Sequence, residues 1–377
     1  MSDITAVLDA IRQHHRRDNE MVLATVVKTL GSSYRRPGAR MIIPAVGTAV
    51  GMVSGGCLET DLVKKAWWRT SNGATLLVYD TNEDGDTIDG IASEGFGTGC
   101  HGQITLLLER AGDPGAALLI DVLDRVVRAR KPAAVATIVS GNAGVGDRLA
   151  LDVDHNVVGA LADPDLQILV EQHLLKALTA RKSSFHSVPL KRSTVSFFLE
   201  YIQPPQRLVI FGAGNDVPPL VQIAKMWGWH VSVIDSRSHF AKASRFPDAD
   251  VVLHAPLNEP FDFTEQVTGA AVAVMTHSLT QDQHWLAHCL REDTAYIGQL
   301  GPIERTERLL KAMAPVERAA ANTRLHYPIG LDIGGDSAPF VAVSILAEAN
   351  AALEKRSACS SSVKRRMTAD AGFRASG

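Results

Sequence analysis

One stretch in the second half of the chain constrains the fold more than any other. The β-forming run Arg207–Phe211 leads into Gly212-Ala-Gly214, and a second apolar run ends about twenty residues later at Asp235. In such a unit the first glycine permits a tight turn, the second lets the backbone approach a phosphate, and the helix N-terminus presents free N–H groups. The stretch therefore predicts a βαβ unit of the dinucleotide-binding type. The alternative is an ordinary strand-to-helix turn of an α/β domain that binds no ligand.

The glycine turn departs from the usual pattern next to the expected phosphate. Val217 occupies the third small-residue position, and Asp216 adds negative charge there. Asp235 is placed to accept a hydrogen bond from a ribose 2′-hydroxyl, whereas Arg237 would suit a 2′-phosphate. Because Asp216 and Val217 both oppose tight pyrophosphate binding, we expect weak or absent NAD(P) binding at this turn.

Strands and helices continue to alternate after this unit. The pattern predicts buried strands at 251–254, 270–275 and 295–300. The fold class is therefore α/β, with a Rossmann-like, doubly wound parallel sheet in the C-terminal part. Ligands of such sheets lie at the carboxyl ends of the strands, which places Gly212, Gly214, Asp235 and His277 near one crevice. His277 has no partner visible in the sequence, so it is weak evidence for acid–base catalysis.

The N-terminal part of the chain is predicted to contain more strands than helices, unlike the alternating C-terminal part. Strands outnumber helices in residues 1–112, and glycine-rich loops at 29–40, 54–59 and 95–102 interrupt them. This pattern predicts a mixed α+β domain with its loops gathered at one end.

The rest of the chain divides into simpler segments. We expect an N-terminal domain at 1–112 and a middle α+β segment at 113–204. The Rossmann-like domain follows at 205–354, and a disordered tail at 355–377. The middle segment carries no clustered chemistry, and residues 181–187 within it have the composition of an exposed loop.

Charge and cysteine content narrow the class of protein. The 377 residues carry a formal net charge of −3, so no whole-chain field attracts nucleic acid or an anionic membrane. No apolar run reaches the roughly 18–20 residues that span a bilayer, and the first residues lack a secretory signal. The four cysteines include no CxxC pair, so neither a disulfide framework nor a standard zinc site is indicated. We expect a soluble cytoplasmic protein.

Several motifs occur together in a fixed order along the chain. They are Gly31-Ser-Ser-x-Arg-Arg-Pro-Gly38, Ser54-Gly-Gly-Cys-x-Glu59, Gly-Cys100-x-Gly102, Gly212-Ala-Gly214, Asp235-x-Arg237, Arg245-Phe-Pro247, Met275-Thr-His-Ser278 and Pro328-Ile-Gly-Leu-Asp-Ile-Gly334. With them the chain resembles the XdhC/CoxI family of xanthine dehydrogenase accessory factors over residues 1–110 and 205–353. The resemblance implies a chaperone that binds molybdenum cofactor (molybdopterin) and protects it while its molybdenum gains a terminal sulfur. The chaperone then passes the cofactor to a molybdenum hydroxylase such as xanthine dehydrogenase.

The same resemblance implies the partners of the chain. They are a molybdenum hydroxylase client, a cysteine desulfurase and further copies of the chain itself in a homo-oligomer, with no nucleic acid and no membrane. The chain is then a maturation factor more than a catalyst, and no catalytic residue is assigned.

The resemblance also suggests which residues hold the cofactor. Guanidinium groups fit phosphate oxygens in a two-pronged way, so the arginines of the first loop are candidate phosphate ligands. Cys57 and Cys100 are candidate ligands for molybdenum because thiolate is soft, and a predicted helix start at Cys57 favours that form. The full candidate set is Arg35, Arg36, Arg40, Gly55, Gly56, Cys57, Glu59, Cys100, Gly212, Gly214, Asp235 and His277. The simpler alternatives are solvated arginines, a buried structural Cys57, and a Glu59 that only stabilises the first turn of a helix.

Two other functions stay open. An NAD(P)-dependent oxidoreductase would explain residues 212–235 but nothing in 29–102, and the chain lacks an evident Tyr-x-x-x-Lys or His–Asp set. A scaffold that docks a partner enzyme without binding cofactor is the third hypothesis. The chain has Asn215-Asp216-Val217 where the family commonly has His-Val-Ala, so its departures fall in the nucleotide-type domain and leave the ligand of that domain in question.

Overall fold

The computed structural model describes residues 4–17, 19–80, 93–95, 102–141, 144–190 and 193–360. The chain divides into two compact units, 1–205 and 206–377. The segment 113–204, predicted as a middle α+β segment, shares the first unit with the residues before it. No helix within the described ranges combines the length and the apolar character that crossing a bilayer requires.

The first unit is built from two β-sheets and the helices that cover them. Its helices are α1 (Ile4–His15), α2 (Glu59–Arg69), α3 (Pro114–Ala129) and α4 (Pro164–Ala180). The first sheet contains β1 (Met21–Gly31), β2 (Arg40–Pro44), β3 (Val50–Gly51), β4 (Thr75–Asp80), β5 (Ser93–Gly95) and β6 (Gly102–Arg110). The second sheet contains β7 (Ala133–Ser140), β8 (Arg148–Leu151), β9 (Val157–Gly159), β10 (Ser184–Leu190) and β11 (Ser193–Ile202).

Strand pairing in the first sheet brings two loop regions together. The strand order is β3-β2-β1-β6-β4-β5, and the central β1–β6 pair is antiparallel with Gly31 opposite Gly102. The end of β1 and the start of β6 therefore lie at the same edge of the sheet. An added Cβ at Gly102 would overlap the carbonyl oxygen of Ser32, so only glycine fits there.

The second sheet is antiparallel, with strand order β10-β11-β7-β8-β9. Its edge strand β10 covers most of residues 181–187, so the expectation of an exposed loop there is wrong. The pairing runs from Ser184 opposite Leu199 to Leu190 opposite Ser193. Contacts across the hairpin override the polar composition, because strand formation depends on the neighbouring strand as much as on local propensity.

Apolar and charged contacts join the two sheets of the first unit. One buried cluster takes side chains from both, namely Val27, Leu107, Val139 and Phe198. Glu109 of β6 and Arg148 of β8 also form a two-pronged ion pair at 2.6 and 2.7 Å, with 1% and 0% of their side chains exposed. Removal of one partner from a charge pair buried this deeply costs about 3–5 kcal/mol. These contacts join residues 113–204 to the first sheet within the first unit.

The second unit contains one six-stranded sheet with helices on both faces. Its strands are β12 (Arg207–Phe211), β13 (His230–Asp235), β14 (Val251–His254), β15 (Ala271–Val274), β16 (Tyr296–Gln299) and β17 (Leu325–His326). Its helices are α5 (Val217–Met226), α6 (Thr264–Val267), α7 (Leu279–Arg291), α8 (Ile303–Lys311), α9 (Pro315–Arg324) and α10 (Ala338–Leu353).

The topology of this sheet is Rossmann-like, as predicted. The strand order is β14-β13-β12-β15-β16-β17, and all neighbouring strands are parallel. Leu220 of α5 and Ile345 of α10 belong to the apolar core on one face, while Leu286 of α7 and Leu309 of α8 belong to the core on the other. The strand order reverses between β12 and β15, and ligand crevices of open α/β sheets lie at such reversals.

Candidate functional site

Two loops of the first unit contact each other at the edge where β1 ends. We call residues 32–39 the arginine loop and residues 54–57 the glycine turn. The ring of Tyr34 in the arginine loop packs on Gly55, since an added Cβ at Gly55 would lie 3.5 Å from Tyr34 Cγ. The loops that the sequence analysis singled out separately are therefore neighbours.

Glu59 holds the glycine turn in place. Its Oε1 accepts hydrogen bonds from the backbone N–H groups of Val53 at 3.0 Å and Ser54 at 2.7 Å, and its Oε2 accepts one from Ser54 Oγ at 2.5 Å. Burial disfavours the charged carboxylate, but the hydrogen bonds from Ser54 and Val53 outweigh it and hold the pKa of Glu59 below its ordinary value. Glu59 is thus a positioning residue whose carboxylate faces the turn.

Cys57 is exposed, with its Sγ 3.5 Å from Ser54 Oγ. The expected helix start at this cysteine is wrong, because α2 begins at Glu59 with Leu58 as its N-cap. The reason is local: Gly56, directly before Cys57, adopts a φ of 108°, which is incompatible with a right-handed helix. The thiol therefore lies in the turn that precedes the helix.

The remaining cysteines differ in environment. Cys100 lies outside the described residues, and the structure shows only that Gly102, two positions later, begins β6 beside Gly31. Cys289 is fully buried on α7, and burial raises the pKa of its thiol. Within the described ranges, no group of three or more His, Cys, Asp and Glu side chains is arranged to hold a metal ion.

The three arginines of the candidate set separate into two kinds. Arg36 is exposed and Arg35 half-buried, and neither guanidinium has an ion pair or hydrogen bond with another described residue. Arg40 instead is buried, donates to the carbonyl of Gly38 at 2.9 Å and forms an ion pair with Glu200. The expectation that all three offer free guanidinium groups is therefore corrected for Arg40, which tertiary contacts occupy.

In the second unit, Asp235 is occupied by protein partners. Its buried carboxylate accepts hydrogen bonds from the Ala213 N–H at 2.8 Å and from Arg237 N, Nε and Nη2 at 2.8, 2.9 and 2.8 Å. Burial disfavours its charge, but the bonds from Arg237 and Ala213 outweigh this and lower the pKa of Asp235. The carboxylate expected to meet a ribose is thus bonded to the Gly212-Ala-Gly214 turn.

Arg245 also donates hydrogen bonds to the segment Gly212–Asn215 that follows β12. Its guanidinium donates to the carbonyl of Ala213 at 2.6 Å and to Asn215 Oδ1 at 2.9 Å. The rings of Phe240 and Phe246 lie 4.8 and 5.4 Å from its guanidinium carbon. The motif Arg245-Phe-Pro247 therefore stabilises the loop after β12.

A His–Asp pair that no sequence pattern indicated lies at the strand reversal. His277 Nε2 is 3.2 Å from Asp216 Oδ2, and 65% of the His277 side chain is exposed. His277 adopts a φ of 58°, a left-handed conformation that few residues other than glycine adopt. An added Cβ at Gly214 would overlap Asp216 Oδ1, so this glycine accommodates the carboxylate. The pair could have been predicted from topology, because Asp216 follows β12 and His277 follows β15, and these two strands are neighbours at the reversal.

Comparisons with known proteins agree with this architecture. The model of the XdhC Rossmann domain matches residues 208–349, and that of the XdhC and CoxI family matches residues 14–80. A crystal structure described as a xanthine dehydrogenase from Bacillus halodurans aligns with a TM-score of 0.73 at 33% identity, covering 96% of this chain and 98% of that chain.

Two curated relatives extend over most of the chain. The molybdenum cofactor insertion chaperone PaoD of Escherichia coli is 25% identical over 333 residues, which are 87% of this chain and 81% of that protein. A probable xanthine dehydrogenase subunit of Bacillus subtilis is 30% identical over 349 residues, which are 92% of this chain and 97% of that protein. This similarity along nearly the whole length, together with the two family models, shows that the chain belongs to the XdhC and CoxI family.

Proposed function

We propose that this chain is an accessory chaperone that binds molybdenum cofactor in its first unit. It supports the sulfuration of that cofactor and its insertion into a molybdenum hydroxylase of the xanthine dehydrogenase type. The names of two relatives, a molybdenum cofactor insertion chaperone and a probable xanthine dehydrogenase subunit, support an accessory role. The observation that carries the proposal is the contact of Tyr34 in the arginine loop with Gly55 in the glycine turn, because it joins a loop with two arginines that have no ion-pair partner among the described residues to a turn with an exposed thiol.

The chemistry of these loops fits the cargo. Molybdenum cofactor combines a phosphate, a polar pterin and a dithiolene that holds the metal. Arg35 and Arg36 supply charge for the phosphate, and the thiol of Cys57 supplies a soft sulfur for the metal end. Cys100, two positions before Gly102 in sequence, is the second thiol that we assign to this end.

The backbone of the glycine turn completes the proposed site. Gly55 and Gly56 are exposed and carry no side chain that would separate the pterin from the turn, although the Gly56 N–H already donates to Ser54 Oγ at 3.2 Å. Glu59 keeps this turn in one conformation through its hydrogen bonds to Val53 and Ser54. A turn that is held before the cargo arrives loses less conformational entropy on binding.

The second unit has a different role in this proposal. In the Gly212-Ala-Gly214 turn the Ala213 N–H donates to Asp235, and Asp216 places a carboxylate beside Gly214. Pro218 and Pro219 remove further N–H donors from the first turn of α5. These features oppose an NAD(P) pyrophosphate, so Gly212, Gly214, Asp235 and His277 shape the crevice without supporting hydride transfer.

Partners follow from the same proposal. A client molybdenum hydroxylase receives the cofactor, a cysteine desulfurase supplies the sulfur, and self-association of the chain provides a homo-oligomer. The proposed site of action is the cytoplasm.

A transfer experiment separates the chaperone from a plain scaffold. The chain is purified from a molybdate-supplied host, and its ultraviolet–visible spectrum and molybdenum content are measured. It is then mixed with cofactor-free client enzyme, and the activity of the client is followed. A chaperone carries cofactor and activates the client, whereas a scaffold carries none and activates nothing. Protein that docks to the client but never contains cofactor would overturn the proposal.

A further inference from the structure

Tyr34 is an exposed aromatic ring at the centre of the proposed site. Its relative exposure is 78%, although a tyrosine ring normally gains by burial. The hydroxyl has no hydrogen-bond partner among the described residues.

The geometry shows which part of the ring is covered. An added Cβ at Gly55 would lie 3.5 Å from Tyr34 Cγ and 3.7 Å from both Cδ1 and Cδ2. Nearly equal distances to these three atoms place Gly55 against the face of the ring and not against its edge. With one face on Gly55 and most of the residue exposed, the opposite face is open to solvent.

The neighbours of the ring carry the other chemistry of the site. Arg35 and Arg36 follow Tyr34 directly, and the carbonyl of Arg35 accepts a hydrogen bond from Ser33 Oγ at 2.5 Å, which restrains the loop. Cys57 follows Gly55 by two residues, so its Cα lies within roughly 8 Å of the Gly55 Cα. An open aromatic face thus belongs to the same pair of contacting loops as the two arginines and the thiol.

We propose that the open face of Tyr34 stacks on the planar ring of the pterin. The tyrosine then orients the cargo with its phosphate toward Arg35 and Arg36 and its sulfur end toward Cys57. Heteroaromatic rings stack on exposed tyrosine faces in single-stranded nucleic acid recognition by the same physics. This assignment rests on the proposed cofactor-binding function and names the residue that recognises the ring.

The test compares three substitutions of one exposed residue. Cofactor released from a molybdenum enzyme and 6-hydroxymethylpterin, which lacks the phosphate, are titrated against wild type, Tyr34→Phe, Tyr34→Leu and Tyr34→Ala. Affinity is recorded for both probes, and fluorescence quenching is recorded for 6-hydroxymethylpterin, whose oxidised ring fluoresces, because a stacked ring quenches it and a merely structural residue does not. Trp68→Leu is the matched control: this exposed tryptophan lies nine residues beyond Glu59, roughly 14 Å along α2.

We expect Tyr34→Phe to keep both affinity and quenching. Tyr34→Leu and Tyr34→Ala lose quenching and bind both probes about 5- to 150-fold more weakly, the range for one aromatic stacking contact. Trp68→Leu leaves both readouts unchanged. Unchanged binding by Tyr34→Leu, with weakened binding by Arg36→Ala, would overturn the stacking and leave the proposed function standing. Absence of cofactor binding by wild-type protein would overturn both.

Discussion

Arg40 and Glu200 form a buried ion pair within the first unit, with 1% and 11% of their side chains exposed. Arg40 begins β2 and Glu200 lies on β11, so the pair ties the base of the arginine loop to the second sheet. Gly38 leaves room for this contact, since an added Cβ there would lie 2.7 Å from Glu200 Oε1. Arg40 is therefore part of the frame that holds Arg35 and Arg36 in place.

The first prediction concerns this frame. Glu200→Ala should lower the free energy of unfolding by about 3–5 kcal/mol, because Arg40 then remains as a buried charge without its counter-ion. Urea unfolding followed by circular dichroism measures the change. Arg36→Ala, in the same loop but exposed, should change the free energy by less than about 0.5 kcal/mol. Similar losses in the two variants would show that the buried pair has no special role.

The second prediction concerns the phosphate. Arg36→Ala should weaken cofactor binding by about 1.5–3 kcal/mol, the usual range for a charge-assisted hydrogen bond, or about 10–150-fold in dissociation constant. Arg35→Ala should act in the same direction. Arg17→Ala is the control, because Arg17 is an exposed arginine before the opposite end of β1.

Pull-down of the client enzyme accompanies this titration. Docking to the client should be unchanged in the Arg36→Ala protein, since the substitution acts on the cargo alone. Unchanged cofactor titration together with impaired pull-down would defeat the cofactor-binding role of the arginine loop and support the scaffold.

The third prediction separates two thiols. Cys57→Ser should reduce bound cofactor or its transfer with little change in stability, because Cys57 is exposed. Cys289→Ser should do the reverse, because a hydroxyl in the apolar core of the second unit costs about 1–3 kcal/mol. Cofactor content by metal analysis and stability by urea unfolding are measured on both proteins. Full cofactor retention in Cys57→Ser would make Cys57 a structural residue.

The fourth prediction concerns the crevice of the second unit. Calorimetric titration with NAD and with NADP should show no low-micromolar binding, since Asp235 already occupies the Ala213 N–H and Asp216 repels a pyrophosphate. No hydride-transfer turnover should accompany either nucleotide. Tight binding of either one would restore the oxidoreductase hypothesis.

The fifth prediction uses the lowered pKa of Asp235. A carboxyl whose pKa is depressed by folding stabilises the native state above its unfolded-state pKa, and this contribution is lost as the pH falls through the folded-state pKa. Asp235→Asn should therefore destabilise the protein at neutral pH, by about 1.5–3 kcal/mol. The difference from wild type should shrink as the pH is lowered below the ordinary range of an aspartate. Urea unfolding at several pH values tests this, and a difference independent of pH would exclude the linkage.

The features that the sequence predicted depend mostly on residues close together along the chain. The run from Arg207–Phe211 through Gly212-Ala-Gly214 to Asp235 predicts its strand, turn, helix and strand because each depends on local propensity and glycine geometry. The same holds for the parallel sheet, since alternating strands and helices leave few other topologies. The motifs of the arginine loop and the glycine turn likewise indicate the family by their residues alone.

The tertiary structure decided what those residues do. Arg40 and Glu200 are 160 residues apart in sequence, and His277 and Asp216 are 61 apart, so no local pattern indicates either pair. Asp235 has the residue type of a ribose ligand, yet its oxygens are bonded to Ala213 and Arg237. A side chain's partner depends on which strands become neighbours and how deeply it is buried, and these follow from packing of the whole sheet. Sequence therefore determined the elements of the Rossmann-like sheet and the family, whereas only the packed structure revealed strand β10 and distinguished the free groups from the occupied ones.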